Sequence, residues 1–463
     1  MSDPSSPEPR LTGDPLAAIP HDALPTAEQP RAGWRERIAQ TRIDTRPLRT
    51  SRDFRLLFFG GSVSFFGSMV TYVAVPFQVY ELTGSTVAVG MLGVAELLPL
   101  IAFGLWGGAL ADAVDRRRMV LGTEFAMTLL SGVLLLNALL PHPRVWPLFL
   151  VAAAVASLDG LQRPSLDALI PRIVDHDQLA AASALSSLRM NLGMIAGPAV
   201  GGVLVASAGV SSAYAVDVVT FGASLVAIAL MRSAPPPTGA TKPSVSGIVV
   251  GLRYAMSRPE LLGTYVVDTA AMLFAMPMAL YPAMAKDAFD QPWALGLLYS
   301  AGSVGSLFAT LTSGWTSHVH QHGKAVAYAA VVWGMAIAAF GLSGNIWFAF
   351  AFLAIAGAAD MVSGVFRSTI WNQTIPDELR GRLAGIELLS YSIGPVTGNA
   401  RAGLVAGAWN VRGSVVSGGI LCVCSVAVLA SSLRSFMRYD ERTNEHAVRE
   451  RQRRASSATS PPK

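Results

Sequence analysis

Three long stretches with almost no charged residues limit what this chain can fold into. Residues 56–111 contain two acidic or basic side chains, and residues 190–231 and 325–366 contain one each. A helix that crosses a lipid bilayer needs about 20 mainly apolar residues, so each stretch has room for two crossings or nearly two. The core of a soluble protein would interrupt such stretches with polar faces every few residues. The sequence therefore excludes a soluble globular fold and predicts a membrane protein.

Apolar segments recur along most of the chain. Charged residues make up only 14% of it, well below the roughly 25% typical of soluble proteins. The segments predicted to span the bilayer are about 54–80, 86–110, 119–140, 145–169, 180–207, 211–231, 260–284, 293–315, 325–344, 346–370, 383–408 and 412–433. The predicted fold class is an all-α integral membrane protein with twelve transmembrane helices.

Basic residues lie mostly on one side of this predicted arrangement. One side carries the N-terminal arginines, Arg116 to Arg118, Arg172, Arg232, Lys242, Arg253, Arg258, Lys324, Arg380, Arg382, Arg434 and Arg438. The opposite loops carry Arg144, Lys286 and Arg412. Because lysine and arginine favour cytoplasmic loops, we expect both termini in the cytoplasm. The net charge of +5 comes from these loops and the tails, so it indicates no nucleic-acid partner.

The spacing of the segments predicts a division into two halves. Residues 51–231 and 259–436 each hold six segments, and the longer cytoplasmic loop 232–258 separates them. Many transporters consist of two such related halves. The polar, proline-containing tails, 1–50 and 437–463, are predicted to be disordered and cytoplasmic.

The loop after the second segment carries a recognisable motif. Residues 107–120 read GGALADAVDRRRMV, with Gly108, Asp112, Arg116 and Arg117 at its key positions. This loop resembles the G-x-L-A-D-x-x-x-R-R signature of the major facilitator superfamily of transporters. The resemblance implies a gate in which the aspartate and the arginines lock one conformation.

Two positions of that loop depart from the family pattern, which weakens the predicted lock. Ala113 and Asp115 stand where the family usually has arginine and glycine. The alternative interpretation is a basic loop that only follows the rule for cytoplasmic charge.

The fifth segment contains a glycine motif that resembles the exporter branch of the same superfamily. Gly193, Gly197, Pro198, Gly201 and Gly202 match the pattern G-x-x-x-G-P-x-x-G-G. Glycines four residues apart share a helix face and allow close helix contact. The resemblance implies antiport and therefore export, whereas the alternative is ordinary packing by small residues. The eleventh segment repeats the motif in part at residues 394–398.

Shorter motifs along the chain resemble siderophore exporters of the enterobactin type within that superfamily. They occur in the same order: Asn137 to Pro141, Asp159-Gly160, Leu280 to Ala283, Leu311 to Gly314, Gly381-Arg382 and Val396 to Gly398. The resemblance implies proton-driven export of a siderophore across the bacterial cytoplasmic membrane by a monomer without cofactor or metal. Macrolide and other drug efflux proteins are wider relatives, so macrolide or multidrug efflux stays open as an alternative.

Ionisable residues inside the apolar segments are the candidates for the mechanism, because burying them in a bilayer is costly. The proton-coupling candidates are Asp159, Asp268, Asp360 and Glu96. The arginines predicted to line the substrate path are Arg163, Arg189 and Arg367. Asp159 and Arg163 share a helix face, as do Asp360 and Arg367. The alternative is that such pairs only hold helices together, and we expect Glu124 and Asp217 near helix interfaces.

Aromatic and histidine side chains give weaker signals. Seven aromatic residues can either stack on an aromatic ligand or pack in the core and at the lipid interface: Phe65, Phe66, Tyr72, Phe274, Tyr281, Trp333 and Trp371. The trio His318, His320 and His322 is predicted to lie in a flexible solvated loop rather than in a metal site.

Other functional classes fit the sequence less well. No nucleophile–base set, metal box or phosphate loop indicates an enzyme or an ATP-driven pump. A membrane sensor would need a soluble signalling domain, and no segment is long enough to form one. The sequence therefore predicts a proton-coupled exporter whose partners are a small-molecule substrate, protons and the bilayer.

Overall fold

The computed structural model describes residues 44–232, 254 and 256–459, without the side chains of 105–113, 377–391 and 455–459. Within these residues every regular element is helical, which confirms the all-α prediction. The long helices are α1 Arg52–Thr83, α2 Thr86–Ala113, α3 Arg116–Ala138, α4 Trp146–Ile173, α5 Leu179–Ala208, α6 Val210–Ala229, α7 Pro259–Ala275, α8 Leu295–Leu311, α9 His322–Leu342, α10 Ile346–Thr374, α11 Asp377–Ala408, α12 Val411–Ser432 and α13 Glu445–Thr459.

Ten stretches of the described chain are long and apolar enough to cross a membrane. They include every helix from α1 to α12 except α4 and α11. Helix α4 carries Asp159, Gln162 and Arg163 in its middle, and these side chains lower its hydropathy. Helix α11 lies partly among the residues whose side chains are not described. The chain is thus a multi-pass membrane protein, and the exact count of twelve spans stays a prediction.

The first long helix shows how local sequence sets helix ends. The Ser51 hydroxyl accepts a hydrogen bond from the Phe54 amide at 3.1 Å, and so caps the start of α1. Gly84 follows the helix with a positive φ of 61°, a conformation that glycine adopts without steric cost. The observed helix extends beyond the predicted segment 54–80 at both ends, because its polar end residues carry no apolar signal.

The seventh predicted segment, 260–284, is not one continuous helix. Helix α7 ends at Ala275, and the chain continues through a 3-10 turn, Met278–Leu280, and a π-helical turn, Met284–Ala288. Pro277 explains the break, since a residue before proline avoids the helical conformation. Met276, the residue before Pro277, is extended, with ψ of 110°. Hydropathy alone does not reveal this discontinuity.

An arginine from another helix stabilises the broken end of α7. The guanidinium of Arg401 in α11 donates to the carbonyl of Phe274 and also to that of Ser414, the latter at 3.3 Å. The last carbonyls of a helix have no partner within the helix. Arg401, which the sequence left without a role, therefore supplies a donor where the helix stops.

The long helices pack as two sets, which we call the first helix set (α1–α6) and the second helix set (α7–α12). In the first, α1 packs against α5 and α6, α2 against α4, and α3 against α4 and α6. In the second, α7 packs against α11 and α12, α8 against α10, and α9 against α10 and α12. The principal contacts between the sets are those of α2 with α11 and of α5 with α8.

Among the residues whose side chains are described, close contacts between the sets occur at one end of the bundle, which we call the joined end. The Thr86 hydroxyl donates to the carbonyl of Gly403 at 3.0 Å, and Gly202 lies so close to Gly296 that a Cβ on either would meet backbone. These residues are near the ends of α5 and α11 and the starts of α2 and α8. Odd-numbered helices end, and even-numbered helices begin, on the same side of an antiparallel bundle. Both contacts therefore belong to the same end.

The chain after α12 also contains regular structure, where the sequence predicted a disordered tail at 437–463. Helix α13 packs against α10, and its Ala447 is 3% exposed. The Nδ1 atom of His320 lies 2.8 Å from a carboxylate oxygen of Glu441, and Gln373 donates to the other oxygen. His320 is therefore held by the chain after α12 instead of lying in a freely solvated loop.

The neighbours of Glu441 determine the charge of its carboxyl group. Partial burial acts to raise the pKa of the Glu441 carboxyl, but hydrogen bonds from His320 and Gln373 outweigh burial and lower the pKa below its ordinary value. The contact thus favours the ionised carboxylate and fixes the chain after α12 to the ends of α9 and α10.

Candidate functional site

The second helix set contains a buried cluster of opposite charges. Arg367 of α10 forms an ion pair with Asp268 of α7, and its other terminal nitrogen lies 3.7 Å from Asp360. Arg367 and Asp268 are buried, whereas the side chain of Asp360 is 41% exposed. One guanidinium therefore lies between two carboxylates, of which only Asp360 is accessible. We call these three residues the Arg367 cluster.

Aromatic side chains one turn further along α10 hold this cluster in place. Trp371 donates through its indole nitrogen to the Thr264 hydroxyl of α7 at 2.9 Å. Its ring stacks on Tyr265, with centroids 5.3 Å apart and an interplanar angle of 22°. Helices α7 and α10 are thus fixed to each other where Asp268 and Arg367 meet. Trp371, one of the aromatic ligand candidates, is 5% exposed and packs in the core.

The first helix set contains a second group of charges, arranged differently. Glu96 of α2 lies within electrostatic range of Asp159 of α4, and Asp159 lies within range of Arg163. In the described structure no ion pair of 4.0 Å or less joins Asp159 to Arg163. Both of these side chains are exposed. We call these three residues the Asp159 group.

Close packing of α2 on α4 positions the Asp159 group. A Cβ on Gly160 would meet the backbone of Gly104 and the Leu100 carbonyl. The absence of a side chain at Gly160 therefore lets the two helices approach closely. Asp159, the preceding residue, is held near the α2 face that carries Glu96.

Glu124 and Asp217, two carboxylates that the sequence predicted to lie near helix interfaces, are buried in the first helix set. Asp217 of α6 accepts a hydrogen bond from the Ser131 hydroxyl of α3 at 2.7 Å. Glu124 of α3 accepts one from the Gln162 amide of α4 at 3.3 Å. These contacts join α3 to α4 and α6. The supporting residues Ser131 and Gln162 were missed by sequence reasoning, because lone polar side chains in apolar helices are common.

Arg189 of α5 lies against α1. Its guanidinium carbon is 6.0 Å from the centroid of the Phe65 ring, a cation–π distance. A Cβ on Gly61 would meet the same guanidinium. Arg189 also lies within electrostatic range of Glu124. The structure thus places the three candidate arginines in different environments: Arg367 ion-paired, Arg163 exposed and Arg189 over a ring.

The loop motif after α2 is only partly described. Gly108 and Asp112 lie outside the residues whose side chains are described. Arg116 donates to the carbonyl of Ala168 in α4 at 3.0 Å, and Arg117 donates to that of Ile228 near the end of α6 at 3.0 Å. Cations at helix C-termini are favourable for the helix dipole. The two arginines therefore attach the start of α3 to the ends of its neighbours.

The glycine motif of α5 contacts two helices. Gly193, Gly197 and Gly201 lie against α1, where a Cβ on each would meet Phe65, Met69 or the backbone of Val70. Gly202 points to α8 and packs on Gly296. Pro198 contributes its carbonyl to the same contact with Gly296. The α5 face with Gly193, Gly197 and Gly201 thus packs on α1 within the first helix set. The neighbouring face, with Gly202, packs on the second set.

Comparisons with known proteins agree with this architecture. A family profile described as "Transmembrane secretion effector" matches residues 44–455. The enterobactin exporter EntS of Citrobacter koseri is 28% identical over 396 residues, which cover 84% of this chain and 94% of that exporter.

Solved transporter structures share the fold. A POT family transporter in complex with 5-aminolevulinic acid has a TM-score of 0.66 at 12% identity, covering 83% of this chain and 97% of that one. A bacterial homologue of the human lysosomal transporter Spinster, in an inward-facing and unoccupied conformation, has a TM-score of 0.65 at 15% identity. That match covers 84% of this chain and 98% of the homologue.

Proposed function

We propose that this chain, which belongs to the transmembrane secretion effector family of the major facilitator superfamily, exports a siderophore of the enterobactin type in exchange for protons. The observation that carries the cargo is the likeness to the Citrobacter koseri enterobactin exporter over most of both chains. The family consists of membrane transporters rather than enzymes. In this proposal the working unit is one chain in the bilayer, which uses a small-molecule substrate and protons and needs no cofactor or metal.

The proposed orientation follows from the basic loops. We place both termini in the cytoplasm and the chain in the bacterial cytoplasmic membrane, because lysine and arginine gather on that side. The joined end, with Thr86 on Gly403 and Gly202 on Gly296, then faces outward. In the proposed cycle the space between the two helix sets opens to the cytoplasm for loading, because that is the side from which an exporter takes its cargo.

The proposed substrate path uses the arginines to attract an acidic cargo. Arg163 is exposed and Arg189 lies over the Phe65 ring, so these two supply the attraction. The charge of Arg367 is balanced by Asp268 and Asp360. A cation that is not fully neutralised attracts anions strongly in a site of low dielectric. Asp268, buried against Arg367, fixes the position of that guanidinium.

Proton coupling in this proposal uses Asp159 and Glu96 in the first helix set and Asp360 in the second. An ionised carboxylate only accepts hydrogen bonds, so it binds the hydroxyl groups of a cargo that enters from the cytoplasm. Protons that arrive from outside convert these acceptors to neutral acids, and the cargo loses its partners and leaves. The protonated carrier returns to the cytoplasmic side and releases its protons there, which makes the exchange an antiport.

The two motifs take the mechanical roles in this cycle. Gly108, Asp112, Arg116 and Arg117 form the proposed cytoplasmic gate, in which Arg116 and Arg117 keep the ends of α4 and α6 attached to α3. The close glycine contact between α5 and α8 lets the two helix sets change their angle about the joined end.

The experiment that tests the cargo measures siderophore outside iron-starved cells with and without this chain. Deletion is expected to retain siderophore or its breakdown products inside, and the wild-type chain is expected to restore release. Asp159→Asn should fail to restore it, whereas the control Asp167→Asn, an exposed residue two turns along the same helix, should succeed. If release is unchanged while susceptibility to macrolides or dyes rises, the chain is a drug exporter.

A further inference from the structure

One aromatic side chain, Tyr72 of α1, differs from the neighbouring tyrosines in its exposure. Tyr72 is 45% exposed, whereas Tyr281 and Tyr299 are 5% and 6% exposed. Its ring meets the Tyr299 ring edge to face, with centroids 5.5 Å apart and an interplanar angle of 74°. One face of Tyr72 is thus supported by protein while another is open.

The support of Tyr72 extends into the core of the second helix set. Tyr299 meets Tyr281 edge to face at 5.0 Å, and Tyr281 meets Phe340 at 5.9 Å. The Tyr299 hydroxyl donates to the Met278 carbonyl at 3.3 Å, and the Tyr72 hydroxyl lies 3.4 Å from the Met278 sulfur. Buried rings in such contact are fixed in orientation. Tyr72 is the last ring of this row, and its ring and its hydroxyl each contact the second helix set.

The neighbours of Tyr72 belong to both helix sets. Its ring partner Tyr299 and its hydroxyl partner Met278 belong to the second set, and Glu96 of α2 lies within electrostatic range of its hydroxyl. A side chain whose contacts cross from one set to the other lies where the two sets meet. The exposed surface of Tyr72 is thus part of the proposed substrate path.

A cation lies on the same side of α1. Phe65 precedes Tyr72 by seven residues, which is about two helical turns or roughly 10 Å along the same face. Arg189 lies over Phe65 at 6.0 Å. The face therefore presents an open ring at one end and a guanidinium at the other.

We propose that Tyr72 is a specificity-determining residue that binds the planar aromatic ring of an acidic substrate, while Arg189 attracts its acidic group. This inference rests on the proposed transport path between the helix sets. The open part of the Tyr72 ring favours a flat aromatic partner, since both edge-to-face and offset-stacked contacts need a second π system. A saturated ring of the same size and charge gains no such contact.

The test compares two probes of equal charge, 2-naphthoate and its fully saturated counterpart, decahydro-2-naphthoate. Equilibrium binding of each to the purified full-length protein in lipid nanodiscs gives an affinity ratio. Wild type should bind naphthoate about two- to tenfold more tightly, the range typical of one aromatic contact. Tyr72→Leu should bring the ratio close to one, whereas Tyr72→Phe, which keeps the ring, should preserve it.

The matched control is Tyr328→Leu, since Tyr328 of α9 is a tyrosine that is 66% exposed and belongs to no ring contact in the described structure. It should leave the ratio unchanged, and the melting temperatures of the variants check that they fold. A ratio unchanged in Tyr72→Leu, or no naphthoate binding by wild type, overturns the inference. Because the assay requires no export, a loss of the aromatic preference and a failure to release siderophore are separate results.

Discussion

In the second helix set Arg367 lies between Asp268 and Asp360, whereas in the first set Asp159 lies near Glu96 and Arg163 with no close ion pair among the described residues. The Arg367 cluster is mostly buried and joins two helices, while Asp159 and Arg163 are exposed. A buried ion pair that loses one member leaves an uncompensated charge, but an exposed carboxylate can gain or lose a proton at little structural cost. From this comparison we propose that the Arg367 cluster serves mainly as structural support and the Asp159 group mainly in proton exchange.

The backbones of the two sets are more alike than their charges. In the first set Gly197 of α5 lies against α1, and in the second Gly398 of α11 lies against Met272 of α7. Each set thus uses a glycine of its fifth helix to pack closely on its first. The sets share a packing plan, and function is expected to depend on where their charges differ.

The largest expected effect comes from removing the cation of the Arg367 cluster. Arg367→Met leaves Asp268 buried without its ion-pair partner, which should cost about 3–5 kcal/mol of folding stability. Thermal unfolding of the purified protein checks this, and the second change Asp268→Asn should recover part of the loss. Arg163→Met is the control from the other set and should cost less than about 1 kcal/mol. Equal losses in the two variants would contradict the division between the groups.

The glycine contacts test the likeness of the two sets. Gly197→Ala and Gly398→Ala each insert a methyl group where the neighbouring helix already lies, so each should cost about 1–3 kcal/mol. Melting temperatures measure both. Gly222→Ala is the control, because a Cβ there meets nothing within 4 Å. A large loss in one variant and none in the other would show that the sets do not share this packing.

Exchange of single carboxylates tests which group carries protons. Asp159→Asn should lower pH-gradient-driven export by tenfold or more, equivalent to about 1.4 kcal/mol, and Asp360→Asn should lower it as well. Transport in proteoliposomes with an imposed gradient measures this, and Asp167→Asn is the control on the same helix. If Asp159→Asn and Asp360→Asn both keep full gradient-driven export, the coupling assignment is wrong.

The fold could be predicted from the sequence to a large extent, because an apolar run of bilayer length leaves the backbone few alternatives. Segment 346–370 falls within α10 and segment 412–433 nearly coincides with α12. The break of α7 at Pro277 was not predicted, since proline inside a membrane helix ends or only bends it depending on its neighbours. The hydrogen bond that Arg401 donates to the Phe274 carbonyl is one such contribution from a neighbouring helix.

The candidate site could be predicted only as a list of residues. Helical periodicity brought Asp360 and Arg367 to one face, but the stronger pairing of Arg367 with Asp268 joins two helices. The same periodicity placed Arg163 beside Asp159, and the structure leaves them without a close ion pair. A single sequence carries no direct signal for contacts between helices, so partners and exposure follow from the structure alone.

The smallest expected effect concerns the chain after α12, which packs on the second helix set through Glu441. The pKa of Glu441 is lowered, so its contribution is present above the ordinary carboxyl range and is lost as pH falls through the lowered value. Glu441→Gln should loosen residues 437–450 by less than about 1 kcal/mol at neutral pH, because the site is partly exposed. Hydrogen exchange of these residues measures the loosening. The protection factors, which are exchange rates corrected for the intrinsic pH dependence of amide exchange, should stay constant in wild type as pH falls from 7 to about 5 and decrease only near pH 4 or below. A decrease that begins well above pH 5 would contradict the assignment of this contact to the ionised Glu441 carboxylate.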